Sequence, residues 1–347
     1  MTVRLTSVAL VVTGSAAALA MLYYLRSIVV PFVIAFVLVV LVDALITTIR
    51  RRWPEAPTWL VSGLAGLVVI TAAGTGIFVL GQGAVGVVQQ GPALVDRLDL
   101  LVQESGRALR LHQPLHIKSL VGDVTAQQIV GIILAAVHGL GGTSFLVVVF
   151  FGFMLAGRHR IWQKFDRLAG SSRGPGLPMS LFARIAADIR TYLWVQTVTG
   201  AMKTAAAAAV MLTVGLDNAL FWTAVFFLLT FIPSIGVTVG SIAPALFALL
   251  QFPSTGQAIA IFVVIQLAAF VVGNFIYPRM QADMQNIDPV ATILSLAFWA
   301  LLWGIPGAFL AVPLTLILLM IFAQFDSTRW IAALLSNDGQ PDFRKQT

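Results

Sequence analysis

Lys203 stands inside "TYLWVQTVTGAMKTAAAAAVMLTVG" (191–215), near the centre of an otherwise uncharged run. An ammonium at the middle of a bilayer-spanning helix costs at least about 2.5–3.5 kcal/mol on insertion scales. Such a lysine is expected to face a protein interior, where it could hold a solute or pass a proton. The bland alternative is a stem that snorkels to an interface or lines an aqueous vestibule without titrating. Gln196, seven residues earlier, falls on the same helical face and extends a polar stripe. Gln266 and Asn274 likewise mark one face of 257–277, suited either to solute contact or to an interhelical hydrogen bond, typically worth about 0.6 kcal/mol.

The backbone itself offers further chemistry. Ile232-Pro233-Ser234-Ile235-Gly236 interrupts one long apolar stretch (219–250), and Gly304-Ile305-Pro306-Gly307 interrupts another (290–322). Proline lacks an amide hydrogen and glycine relaxes the backbone, so peptide groups at such breaks lose helical partners. Freed peptide groups cannot face lipid; they must be buried in protein or line a polar cavity. Thr230, Pro233, Ser234, Gly236, Pro306 and Gly307 therefore join the candidate solute-facing positions. Two breaks reaching mid-membrane from opposite faces would form the kind of site that secondary transporters use.

Other chemistries find little support. His112 and His116 have metal-ligand spacing, but Pro114 interrupts a regular helix between them and no carboxylate partner is evident, so they read as loop residues. The chain has no cysteine, which excludes disulfides, thiol nucleophiles and zinc–thiolate sites. HExxH, the P-loop and the full set of kinase signatures are missing, so no enzyme activity, metal or cofactor is expected. Asp283 and Asp288, near Arg279, read as members of an ion pair rather than a cation site. Any pumping must then draw on an ion gradient or on the solute's own gradient.

The elements that position these residues follow from composition. Apolar residues make up 59% of the chain and charged residues 10%, with a mean hydropathy of +0.94. A soluble chain is about half apolar and about a quarter charged. Recurrent apolar runs predict an all-α polytopic membrane protein with about six full spans and two re-entrant helical hairpins. The spans are 8–25 (retained, not a cleaved signal), 28–49, 58–81, 129–156, 192–214 and 257–277. The arms of 219–250 and 290–322 are about 13–16 residues each, too short to cross. Two kinked full spans are the alternative.

Charge sets the orientation. The net charge of +7 lies mostly in short loops beside the spans, which points to topology rather than to nucleic acid. Arg50, Arg51 and Arg52 place that loop, and hence the N-terminus, in the cytoplasm. The basic stretch from Arg158 to Arg190 returns there, as does the C-terminus with Arg344 and Lys345. The chain is thus organised as 1–81 with three helices, an extracytoplasmic amphipathic region 82–128, a span with a basic segment 129–191, a transport core 192–325, and a tail 326–347.

"YLWVQT" (192–197), "GLDNALFWTAVFFLLTFIPSIG" (215–236), "APALFALLQF" (243–252), "GNFIYPRM" (273–280) and "LSLAFWALLWGIPGAFLAVPLT" (294–315) together resemble the autoinducer-2 exporter family of permeases. The resemblance is sharpest over 190–323. It implies a multi-pass transporter of the bacterial inner membrane that moves a small solute through the lipid bilayer, favours the hairpin reading, and implies a homo-oligomer, in particular a pentamer. Members are linked to export of autoinducer-2 and others to sodium/proton exchange, so the name does not carry the solute with it. Thr230 and Ser234 stand where relatives often place asparagine, and Gln281-Ala282-Asp283 follows "YPRM" where a glycine is usual. The functions to be separated are a gradient-driven permease, a passive oligomeric channel, a sodium/proton antiporter and a non-transporting scaffold.

Overall fold

The computed structural model describes residues 2–108, 144–157, 179–233, 235–281 and 287–339. The described residues are helices and short connections. The chain divides into two compact units, one drawn from 1–66, 143–194 and 283–347, the other from 67–142 and 195–282.

Helices α1 (Thr2–Tyr24) and α2 (Arg26–Arg52) open the first unit. Pro31 lies within α2 one turn from its start, and three arginines end the helix. Helix α3 runs unbroken over Thr58–Ala108. The expected end at 81 is therefore not a helix end: the amphipathic stretch continues the same helix as far as 108, and its remainder lies outside the described residues. A glycine weakens a helix by about 1 kcal/mol in water, but an unpaired peptide group in lipid costs several. Glycine-rich sequence inside a span therefore stays helical. Helix α4 (Ser144–Gly157) is the described part of the expected span 129–156.

Helix α5 (Met179–Val214) leads into the second unit. Among the described residues, five helical stretches are long and apolar enough to cross a membrane: Arg26–Arg52, Thr58–Val87, Ala187–Val214, Gly256–Met280 and Ile305–Phe322.

Both interrupted segments fold back on themselves. In the second unit, α6 (Ala219–Leu229) and α7 (Ile235–Gln251) form the first hairpin. Their pairing is antiparallel: Gly240 lies against Phe226, and Trp222 packs on Phe247 with ring centroids 5.3 Å apart. The two feet are tied together. Gln251, at the end of α7, accepts from the Asp217 amide at 2.8 Å and donates to Gly215 O at 3.1 Å, both just ahead of α6. This segment enters and leaves by one end.

In the first unit, α10 (Pro289–Trp303) and α11 (Ile305–Phe322) form the second hairpin. Trp299 Nε1 donates across it to Thr315 Oγ1 at 3.1 Å, and Trp303 Nε1 reaches Leu22 O in α1 at 3.1 Å. Asp288 caps α10, accepting from the amides of Val290 at 2.7 Å and Ala291 at 3.3 Å. Its own amide donates to Leu335 O at 3.0 Å, in the short helix α12 (Arg329–Leu335) that follows α11. The Asp288 carboxylate thus serves as a helix cap rather than as the partner expected for Arg279; Asp283 lies outside the described residues. The arms are less equal than expected, and α11, with 18 residues, is itself long enough to cross.

Each hairpin closes on one glycine. A Cβ at Gly236 would overlap the carbonyl oxygen of Leu229, and one at Gly307 would overlap that of Trp299. Both positions are buried. Contact is backbone to backbone, so the arms cannot accommodate even a methyl group without parting. Gly236→Ala and Gly307→Ala are each expected to destabilise the protein by about 3 kcal/mol, the upper end of overpacking costs. Thermal melting of the purified variants, with Gly74→Ala as the control where nothing lies within 4 Å, checks this. The control is expected to melt at or slightly above the wild type.

Candidate functional site

The tip of the first hairpin is built from residues 230–236. Helix α6 stops before the proline is reached. The amides of Phe231 and Ile232 turn to carbonyls three residues back, Leu228 O at 3.2 Å and Leu229 O at 2.9 Å, tightening the last turn. Pro233 is half-buried in the turn, its carbonyl accepts from the Ile235 amide, and Gly236 bonds back to Ile232 O at 3.1 Å. Ser234 lies outside the described residues. Most amides at the break therefore find partners inside the turn.

The carbonyl of Thr230 is satisfied from outside the hairpin. Gln196 on α5 donates its Nε2 to Thr230 O, and both residues are buried. One turn further along α5, Gly200 faces the Thr230 hydroxyl, which a Cβ there would approach to 2.7 Å; that hydroxyl donates to Phe227 O at 2.6 Å. A glutamine and a glycine, four residues apart on one face, thus receive the hairpin tip. It docks about 20 Å along α5 from the helix end at Val214, counting 14 residues at about 1.5 Å each.

Lys203 lies on the same buried face, three residues beyond Gly200, with 9% of its surface exposed. Thr199, on the same face, is fully buried and bonds back to Val195 O at 2.8 Å. Among the described residues Lys203 makes no hydrogen bond or ion pair. The hydroxyl of Thr204, next in sequence, is buried without a partner among the described residues.

The other expected positions fall elsewhere. Gln266 is half-buried on α8 (Gly256–Val271). Asn274 is exposed and donates to Phe270 O, one turn back on its own helix, at 2.8 Å. It sits in a π-helical turn, Val272–Ile276, that joins α8 to α9 (Tyr277–Gln281). No described bond joins either residue to the hairpin tip.

The second break works differently. Gly304 alone reverses the chain, with φ 68° and ψ −142°, a conformation reserved for glycine. Its amide closes α10 on Ala300 O at 2.8 Å, and its carbonyl opens α11 by accepting from Ala308 at 3.1 Å. Pro306 is half-buried in the first turn of α11, where a missing amide hydrogen costs nothing. Gly307 follows, buried against Trp299.

Sequence reading missed two residues of this machinery, Gln251, which ties the feet of the first hairpin, and Trp299, which bonds across the arms of the second; it placed Gly304 in the break but not as the residue that makes the turn. A glutamine at the very end of an apolar arm was the available signal for the first.

Gln196→Leu leaves the Thr230 carbonyl buried and unpaired, a loss of about 1–3 kcal/mol. It is expected to lower the melting temperature and to speed amide exchange in peptides covering 226–240. Unchanged exchange there would mean that the bond does not hold the tip.

The model of the AI-2E family transporter matches residues 14–326. A protein of Borreliella burgdorferi named "Putative transport protein" is 30% identical over 199 residues, 55% of this chain and 53% of the relative. One of Haemophilus influenzae with the same name is 26% identical over 206 residues, 59% of each. These two alignments span little more than half of each relative. The "AI-2 transport protein TqsA" of Escherichia coli K12 is 24% identical over 321 residues, 90% of this chain and 91% of that protein. The matched region takes in α2 to α11 whole, both hairpins among them, and the chain belongs to the AI-2E family of membrane transporters.

Proposed function

We propose that the protein is a gradient-driven permease of the bacterial inner membrane in which the two helical hairpins bind and release a small solute. The observation that carries this reading is the shared construction of the hairpins. Each has a tip closed on a single buried glycine, and each has both feet at one end. Such arms are bounded bodies that can move as units while their own backbone bonding stays intact. The stretch Gly256–Met280, long enough to cross, separates the hairpins in the chain, which favours their entering from opposite faces.

Gln196, Thr230, Pro233, Ser234 and Gly236 then form the working end of one hairpin, and Pro306 and Gly307 that of the other. Lys203 stands beside the first, with Gln266 and Asn274 on the helix that follows it. The N- and C-termini are cytoplasmic in this reading, by the arginines at the end of α2 and in the tail. A homo-oligomer supplies the fixed scaffold. The name of the Escherichia coli relative makes autoinducer-2 the first solute to try.

The decisive measurement is flux into liposomes holding the purified protein. Uptake of the transported solute, sought first among autoinducer-2 and other small metabolites, is expected to saturate, to be accelerated by solute on the far side, and to change when an imposed proton or sodium gradient is collapsed. A flux that never saturates and shows no exchange favours a passive channel. In the naturally cysteine-free chain, Arg279→Cys is expected to react with an impermeant maleimide from the cytoplasmic side. Labelling only from outside would remove the hairpin topology.

A further inference from the structure

We propose that Lys203 is the counter-ion of the transported solute, and that the solute is therefore an anion carrying a carboxylate or phosphate group. This deepens the permease reading above and rests on it.

The inference starts from what surrounds the ammonium. Lys203 is 91% buried, on the face of α5 that carries Gln196, Thr199 and Gly200 and receives the tip of the first hairpin. Protein interiors hold charged groups only when these are paired or bonded. Among the described residues Lys203 has no such partner. The acid nearest in sequence on its own unit is Asp217, beyond the end of α5. From Lys203 to Val214 alone is 11 residues, about 16 Å along the helix, too far for a contact pair. Asp217 is exposed and accepts from Gln90 at 3.4 Å.

The polar groups beside Lys203 point the same way. Gln196 presents an amide donor one side of Gly200, and Lys203 presents the ammonium on the other. The Thr204 hydroxyl, next in sequence, is buried without a partner among the described residues. An ammonium with no partner among the described residues, and no described carboxylate on that face, suits an incoming oxyanion and repels a cation. Lysine binds phosphate and carboxylate as a compact point charge, so it takes oxyanions of differing shape, as a transporter of several related solutes would require.

A binding measurement tests this without relying on transport. Thermal melting of the full-length purified protein is followed in acetate, lactate, succinate, phosphate or methyl phosphate, each as the sodium salt, against equal sodium chloride and against the neutral solutes glycerol and ribose. At least one oxyanion is expected to raise the wild-type melting temperature by about 3 °C at a tenfold excess over its dissociation constant. Lys203→Met should lose that shift, and Lys203→Arg should keep part of it. Without added anion, Lys203→Met should melt at or above the wild type, because it removes a charge that no protein group satisfies. The proposal is overturned if no oxyanion shifts the wild type, if Lys203→Met responds equally, or if Lys203→Met is strongly destabilised in chloride alone. Liposome flux separates this from the permease reading. Saturable flux of a neutral solute with no oxyanion response removes the anion and leaves the permease, whereas a Lys203-dependent shift with no flux of any of these solutes removes the permease and leaves the site.

Discussion

The fold of the transport region depends on two places where a backbone meets a backbone. At Gly236 and Gly307 the missing Cβ lets one arm of a helical hairpin rest its α-carbon on a carbonyl of the other. Everything else about the hairpins follows from that proximity. Arms this close can be turned by a few residues, their feet return to a common end, and side-chain bonds such as Trp299 to Thr315 can bridge them. A larger residue at either glycine would splay the arms. In lipid, which supplies no hydrophobic force between helices, small-residue contact is one of the few ways to hold two helices together.

The hairpins were legible in the sequence because a break inside an over-long apolar run has few explanations. How each break is made was not. Proline drew the attention in both, yet the first helix ends before Pro233, and the second turn is made by Gly304 with Pro306 already in the next helix. The bond from Gln196 to Thr230 joins residues 34 apart, and no local pattern announces it. Gln196 was visible as a polar residue in an apolar span; its use as a tip cap depends on tertiary approach. At α3 the sequence marks a span and an amphipathic helix after it, and the structure joins the two in one helix with no break at 81.

These contacts also change what the polar residues are for. A freed carbonyl inside a membrane can be answered by water, by solute or by protein, and at Thr230 the answer is a glutamine amide. The break is therefore less wet than a bare interruption would be, and the chemical demand moves one turn along the same helix face to Lys203, where no described protein group answers the charge. Family membership places the chain among transporters; the buried face of α5 is where the proposed oxyanion would meet a charge.

Helix α3 carries a mechanical consequence. Its 51 residues extend about 76 Å if straight, more than twice the thickness of a hydrocarbon core. A rod of that length works as a lever: a tilt of about 10° at one end sweeps the other through about 13 Å. Small rearrangements at one end of the helix would thus emerge, magnified, at the other.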